Sequence, residues 1–495
     1  MRKHVLLLFP KTGLDLKRVN LQMPMSLMCL AAPLEELGYR VTILDQRTEK
    51  DFFPKVKKLL TDNTVCAGIS AMTGMQIHYA LAAAKFIREN SRIPIVWGGI
   101  HPTLMAEQSI RNNCIDIIVR GEGEITFAKL VQALSCNNSL DKIPGITWKD
   151  GAKIRTNAER NFCDLDKLPP TSYDLVNVEK YVTAQVPGKN RSLDIYTSRG
   201  CPHSCSFCFN RSFNNSSWRR RDIDKVIFEI EWMVKKFHLD SVNINDDNFF
   251  VDIDRSHTFC KRLIDKKIPL AWGCQGVRID SLEKVDFDLL QRSGCKHLYM
   301  GIESGSEKII QYIRKGITLN QIKNIVHKFS SSGIIAHYNF MVGYPIEAET
   351  ELHETIELVN YIMRVDPKAY FSSFHIITPY PGTEFYRLSQ QHGFTPPQKL
   401  EEWSNIRWEY EQVPWIPAHM RKTVFNLTLL TYFIDRKGLD KTKNNLLLRI
   451  ITKVYMAFAK IHWKHKQFKF CPEFRLLNRL VNYKMSREIR NLASS

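Results

Sequence analysis

Three cysteines stand close together in the run Thr197-Ser-Arg-Gly-Cys201-Pro-His-Ser-Cys205-Ser-Phe-Cys208. The spacing Cys-x3-Cys-x2-Cys collects three thiolates in one tight loop, directly after a predicted strand over Leu193–Thr197. An iron–sulfur cubane ordinarily takes four cysteines, and no fourth one lies near. Three ligands leave one iron open, and an open iron can bind a substrate. That separates a catalytic cluster from one that only carries electrons. The other reading of the triple is a zinc loop, but zinc normally takes four ligands, often as two separated pairs.

Further polar groups follow at regular positions. Strand-like runs recur at Ser241–Asn245, Leu270–Gly273, His297–Gly301, Ile334–Val342 and Tyr370–Ile377, with helices between them. Each leads into a polar or glycine-rich cluster: Asp246-Asp247-Asn248-Phe249; Gln275 and Arg278; Glu303-Ser304-Gly305; Gly343-Tyr344-Pro345; Thr378-Pro-Tyr-Pro-Gly-Thr383. With the strand before Cys201 the runs number six. Parallel β/α barrels place chemistry at the carboxyl ends of their strands, so these clusters are expected to meet at one mouth above the cysteine loop. Read singly, Glu303 is also explained as a barrel-mouth ion pair, Arg278 as structural, and Pro381-Gly382 as turn chemistry. Their joint order behind the cysteines carries the specificity.

The first third of the chain alternates strand and helix. Val5–Phe9, Arg40–Asp45, Val65–Ser70, Ile95–Gly98 and Ile115–Arg120 read as strands, and Met25–Leu37, His78–Asn90 and Glu124–Leu134 as helices. This is the pattern of a doubly wound parallel sheet, whose ligands bind beyond the carboxyl strand ends. Small residues there, in Ser70-Ala-Met-Thr73-Gly74, Gly98-Gly99-Ile-His101 and Gly121-Glu122-Gly123, let a large planar ligand approach the backbone. The chain is therefore expected to be α/β: an N-terminal doubly wound sheet over 1–138, a linker over 139–190, a central partial (β/α)6 barrel over 191–395, and a mostly helical, basic region over 396–495.

The 495 residues fit two to four domains, and an apolar fraction of 44% allows large cores. Twelve scattered cysteines do not form a disulfide framework and point to a reducing, cytoplasmic setting. The start, Met1-Arg-Lys-His-Val-Leu-Leu-Leu-Phe, is too short in apolar length for a signal peptide and reads as a buried strand. No run of 18 apolar residues predicts a membrane span. Formal net charge is +19, and residues 421–495 hold 17 Lys and Arg against 4 Asp and Glu. Basic tails meet nucleic acid, anionic lipid or acidic substrates, or are simply solvated. Trp403, Trp408 and Trp415 mark an aromatic, acidic segment, and Cys471 stands alone. At about 100° per residue, Arg449, Lys453, Lys460 and Lys464 share one sector of a helix, while Leu447, Ile450, Ile451, Val454, Tyr455, Phe458 and Ile461 fill an opposite arc. Such a helix lies on a membrane surface or docks on the barrel with its lysines in water.

The Gly200-Cys201-Pro202 opening, the three-cysteine spacing and the aromatic Phe207 closely resemble the radical S-adenosylmethionine (radical SAM) family. Residues 1–138 resemble the cobalamin-binding domain that precedes many radical SAM domains, on Pro24, the Leu30-Ala-Ala helix, Ser70, Thr73, Gly98-Gly99 with His101, and Gly121-Glu122-Gly-Glu124. The resemblance spans about residues 1–395. It implies a 4Fe–4S cluster on Cys201, Cys205 and Cys208, S-adenosylmethionine, and cobalamin as cofactors. For S-adenosylmethionine it implies Phe207 among the binding residues, Asp246 and Asp247 near the methionine amine, Arg278 on its carboxylate, Glu303 and Ser304 at the ribose, and Gly343 and Pro345 flanking the adenine. For cobalamin it implies Ser70, Thr73, Gly98, Gly99, His101, Gly121 and Glu122. One place departs from the pattern. Proteins that ligate cobalt through histidine carry Asp-x-His-x-x-Gly after the second strand, and here Asp45-Gln46-Arg47-Thr48-Glu49-Lys50 stands there. A flavodoxin-like domain that kept the fold and lost the cofactor remains the alternative.

The implied reaction is reductive cleavage of S-adenosylmethionine, hydrogen abstraction from an unactivated carbon, and methylation of that carbon through methylcobalamin. The alternative is a ring-forming or oxidative cyclase of the anaerobic magnesium-protoporphyrin ester cyclase type. From another class, the chain could be an RNA- or membrane-binding protein with a structural cluster, against which the open-iron spacing argues. The expected partners are a small-molecule or lipid-like substrate, a low-potential donor such as flavodoxin or ferredoxin, and a peripheral membrane contact at the inner face, but not nucleic acid. No catalytic side chain is identifiable from the sequence.

Overall fold

The computed structural model describes residues 2–13, 15, 21–406, 413–441 and 446–476; Trp408 lies outside them. In the first sheet, β1 (His4–Phe9) runs between β2 (Arg40–Asp45) and β3 (Thr64–Ser70), followed by β4 (Ile95–Gly98) and β5 (Ile117–Val119), all parallel. Val5, Leu6, Leu7 and Leu8 are all buried, so both faces of β1 are covered, as a sheet sandwiched by helices requires. Helix α1 (Met25–Glu36) packs with the helix Glu124–Ser135, and α2 (Phe52–Leu59) with α3 (Met75–Asn90). The two pairs feed separate cores. The chain leaves α1 through Gly38 in the left-handed region (φ +82°), the usual way to end a helix. Strand order reverses between β1 and β3, which leaves a crevice at their carboxyl ends.

Residues 139–190, expected as a linker, instead begin with a hairpin that extends this sheet. Strand β6 (Ile146–Asp150) pairs antiparallel with β5, and β7 (Lys153–Thr156) with β6. The two-residue turn is Gly151-Ala152, with Gly151 at φ +59°, the glycine-first loop that suits a tight hairpin. Short 3-10 turns at Leu165–Lys167, Tyr173–Leu175 and Val178–Lys180 follow.

The second sheet is parallel throughout, in the order β8 (Ser192–Ile195), β11 (Ser241–Ile244), β12 (Ala271–Arg278), β13 (Cys295–Glu303), β14 (Ile335–Val342) and β15 (Tyr370–Phe371). A small antiparallel pair, β9 (Ser198–Gly200) with β10 (Trp218–Arg220), flanks the cysteine loop. Helices Ile223–Phe237, Ile253–Asp265, Phe287–Arg292, Leu319–Ser331 and Glu349–Val365 connect the strands, completing the expected (β/α)6 arrangement. The last strand is broken: β16 (His375–Ile376) also pairs with β14. Between the two pieces the Phe374 N–H donates to Thr431 Oγ1 (2.9 Å), and at the end of β15 the Phe371 N–H donates to the Asp435 carboxylate. Both acceptors come from the helical C-terminal region, which carries helices Ala418–Leu430, Lys437–Lys441 and Leu446–Lys464.

Candidate active site

The cysteine loop leaves β9 through Gly200 (φ +86°), where a Cβ would come within 2.1 Å of the Ser217 carbonyl oxygen. Only glycine fits that turn. Asp246 and Asp247, at the end of β11, hold its two ends. Asp246 is buried and accepts from the Thr197 N–H, the Thr197 hydroxyl and the Ser198 hydroxyl, each at 2.6 Å. Asp247 accepts from the Gly200 N–H (2.8 Å) and from Asn210 Nδ2 (3.0 Å) just beyond Cys208. The strand β12 presses on this turn: a Cβ on Gly276 would lie 1.8 Å from the Asp246 carbonyl oxygen. The sequence reading puts both aspartates at the methionine amine. In the structure Asp246 is consumed in bracing the loop, while Asp247, which is exposed, braces it and also lines the cavity described below.

Donors point at the sulfurs. Asn248 Nδ2 lies 3.8 Å from Cys201 Sγ, and Arg278 Nη1 lies 3.5 Å from Cys205 Sγ. Hydrogen bonds to cluster sulfurs tune its potential. Burial pushes the Cys201 thiol up and the Cys208 thiol up to about 11. Such thiols stay protonated at neutral pH until a metal displaces the proton, which suits a ligand loop and not a free nucleophile. The donor set fits a cluster.

Behind the loop lies a buried charge cluster. Arg278 spends its fork on Asp280 (Nε 3.1 Å, Nη2 3.0 Å) and donates from Nη2 to the Lys315 carbonyl oxygen (2.6 Å). Its bidentate edge is therefore engaged within the chain. Glu303 sits at φ +71°, strained for a residue with a Cβ, and pairs with Lys315 Nζ at 2.7 Å. Burial opposes the Lys315 charge, but Glu303 and Cys205 outweigh it and hold the ammonium above its ordinary range. The same Nζ stands 5.8 Å from the Phe207 ring centroid. Ser304 is buried with its hydroxyl 3.0 Å from Thr355 Oγ1 and accepts the Ser306 N–H (3.1 Å), so it tethers the strand end to the helix Glu349–Val365.

After β14, Gly343 turns at φ +81°, its N–H donating to Glu347 Oε2 and its carbonyl accepting from Trp415 Nε1 (2.6 Å). Pro345 is half-buried in the same turn. Glu347 was missed in the sequence reading. It is buried, Oε1 has no hydrogen-bond partner among the described residues, and burial pushes its carboxyl up to about 8. Its only sequence signal is a carboxylate four residues after the strand-end glycine.

A cavity of about 1890 Å³ joins the two sheets. Ser70, Gly98, Gly99, Gly121 and Glu122 line it from the first sheet, Ser198 and Arg199 from β9, and Asp247 and Gln275 from the second sheet; His297, Tyr299, His337 and Tyr370 also line it. Its breadth and the small residues at the strand ends fit a large planar ligand such as cobalamin. Gly68 is also part of this edge: a Cβ there would come within 2.8 Å of Leu7 Cδ2. Glu122 bridges the sheets, accepting from Arg199 (3.0 Å) and twice from Arg219 (both 2.8 Å). Burial opposes its charge, but these arginines outweigh it and hold the carboxyl below its ordinary range.

Two residues of the cobalamin set do not line the cavity. His101 is fully buried, its Nδ1 2.9 Å from Thr73 Oγ1 and its ring 5.3 Å from that of Trp403. Burial pushes its pKa down to about 3, so it is neutral. Thr73 is its hydrogen-bond partner. The loop after β2 is closed on itself: Asp45 pairs with Arg47 (2.7 Å) and accepts from the Tyr181 hydroxyl (2.8 Å).

Residues 195–359 match the family model of the radical SAM superfamily, and residues 13–131 match that of the B12 binding domain. A protein of Pyrococcus horikoshii named as an uncharacterised methyltransferase is 32% identical over 392 residues, covering 78% of this chain and 83% of that protein. The anaerobic magnesium-protoporphyrin IX monomethyl ester cyclase of a Synechocystis species is 28% identical over 416 residues, covering 80% of this chain and 78% of that protein. The solved cobalamin-dependent S-adenosylmethionine radical enzyme OxsB, with aqua-cobalamin bound, shares the fold at a TM-score of 0.71 and 17% identity, over 97% of this chain and 75% of that one. The chain thus belongs to the radical SAM superfamily, among the members that carry a B12-binding domain, and it is an enzyme whose cofactors are a 4Fe–4S cluster, S-adenosylmethionine and cobalamin.

Proposed function

We propose that this enzyme methylates an unactivated carbon of a small molecule held in the cavity between the two sheets. The observation that carries the reading is the continuity of that cavity. One space touches the strand ends of the B12-binding domain, Asp247 beside the cysteine loop, and the side chains of β13 and β14. A substrate there faces both halves of the protein at once. Bound S-adenosylmethionine and cluster would supply a hydrogen-abstracting radical, and cobalamin a transferable methyl group. Cys201, Cys205 and Cys208 hold the cluster, while Asn248 and Arg278 stabilise its sulfurs. The Glu303–Lys315 pair and Phe207 back the loop and keep water from it, which matters because such radicals are unselective. Ser70, Gly98, Gly99 and Gly121 leave room for cobalamin. A low-potential flavodoxin or ferredoxin provides the electron. The Pyrococcus relative, named as a methyltransferase, supports the methyl-transfer reading.

The Synechocystis relative favours a second reading, oxidative ring closure on the same scaffold. The metabolites of a deletion strain, compared with those of its parent under methyl-labelled methionine, identify the substrate. With that substrate and reconstituted enzyme under anaerobic conditions, methylation predicts S-adenosylhomocysteine formed together with 5′-deoxyadenosine. Formation of 5′-deoxyadenosine and a cyclised product without S-adenosylhomocysteine would replace methyl transfer by the second reading.

A further inference from the structure

The helix Leu446–Lys464 turns its apolar arc outward. Its buried face is Thr452, Met456, Ala459 and Trp463. Trp463 anchors it, donating from Nε1 to Asn360 Oδ1 at 2.6 Å and meeting the Phe374 ring at 6.4 Å. At about 100° per residue the opposite side carries Leu447, Ile450, Val454, Phe458 and Ile461. These side chains are 68%, 51%, 48%, 41% and 56% exposed. Arg449, Lys453, Lys460 and Lys464, all exposed, run along one edge of that arc. A contiguous apolar surface of this kind marks a contact face.

We infer that this face docks on an anionic lipid bilayer, the helix lying in the plane of the headgroups. The apolar arc enters the acyl boundary, and the cationic edge snorkels to the phosphates. The helix does not span: among the described residues no helix is long and apolar enough to cross a membrane. Charge decides between a bilayer and a second copy of the chain. Residues 421–495 hold 17 Lys and Arg against 4 Asp and Glu. A twofold pairing of this face would bring two such basic surfaces together, whereas anionic lipid complements them. The inference is independent of whether the reaction is methylation or cyclisation.

Full-length, cluster-loaded protein is co-sedimented with vesicles of phosphatidylglycerol and phosphatidylethanolamine, and with vesicles of phosphatidylcholine alone. The anionic vesicles should bind it at least about tenfold more strongly, with binding that weakens as salt rises. The double variant Ile450→Glu/Val454→Glu should remain in the supernatant. Lys453→Glu/Lys460→Glu should weaken binding by at least about thirtyfold. Both pairs are exposed, so iron content and Tm should match the unaltered protein. Equal recovery of unaltered protein in the supernatant with both vesicle types overturns the inference. So does a dimer, seen by light scattering, that the Ile450→Glu/Val454→Glu variant splits while the unaltered protein ignores vesicles; the face is then a subunit interface.

Discussion

Glu347 keeps a carboxyl in a dry turn, one oxygen accepting the Gly343 and Tyr344 N–H groups and the other without a partner among the described residues. Folding raises its pKa from 4.5 to about 8 because burial penalises the charge. The folded state thus binds more protons than the unfolded one between those values, and stability falls as pH rises through that window. The contribution is whole below 4.5 and gone above 8. Urea unfolding of the cluster-free protein across this range should show a loss on the order of 5 kcal/mol. Glu347→Gln should flatten that slope; an unchanged slope would place the titration elsewhere. At this scale the sequence conveyed residue type and order, which was enough to single out Cys201, Cys205 and Cys208 as one loop. It did not convey partners. Arg278 and Asp246 are the right chemical types for a zwitterionic ligand, but Asp280 and the Thr197–Ser198 backbone and hydroxyls reach them first. His101 is closed off by Trp403, a contact between residues about three hundred positions apart that no local pattern encodes.

The elements were legible where periodicity was strong. The six barrel strands and the alternation of the first sheet follow from apolar runs punctuated by polar ends. The hairpin β6–β7 was not, although Gly151 marks its turn, because Lys153–Thr156 is exposed and carries almost no apolar signal. In the Leu446–Lys464 helix the wheel separates basic from apolar residues but cannot say which arc docks. The narrow Thr452/Ala459 side wins because it lets Trp463 reach Asn360. Packing between elements also makes a testable demand on β12. With the Asp246 carbonyl 1.8 Å from any Cβ at position 276, Gly276→Ala must push the Asp246–Asp247 turn away and release both ends of the cysteine loop. Iron content after anaerobic reconstitution should fall several-fold, although none of the ligands is altered. Gly151→Ala, on the far hairpin, should leave iron content unchanged.

Across the whole molecule, the Glu122–Arg199–Arg219 cluster, with Glu124 on Arg199 at 2.7 Å, ties the first sheet to the β9–β10 pair beside the cysteine loop. Removing one partner of a buried ion cluster costs about 3 kcal/mol because the others are left unpaired. Glu122→Ala should therefore lower the cobalamin-to-protein ratio after reconstitution while sparing the iron, whose ligands lie in another loop. His101→Ala should leave the cobalamin absorption spectrum unchanged, since a buried imidazole braced on Thr73 cannot reach a metal in the cavity. A changed spectrum would require a rearranged loop after β4.

The broken last strand of the barrel bears on how the protein is made. The N–H of Phe371, which ends β15, and that of Phe374, in the break before β16, find their acceptors on Asp435 and Thr431, some sixty residues further along the chain. During synthesis the last strand cannot complete its hydrogen bonds when the six barrel strands have left the ribosome; it must wait for the segment that follows. Until then, the broken β15–β16 edge is an open template for pairing with another chain. A polypeptide cut after residue 395 should accordingly emerge as an aggregating species and not as an isolated catalytic barrel, and coexpression of residues 396–495 as a separate chain should restore solubility.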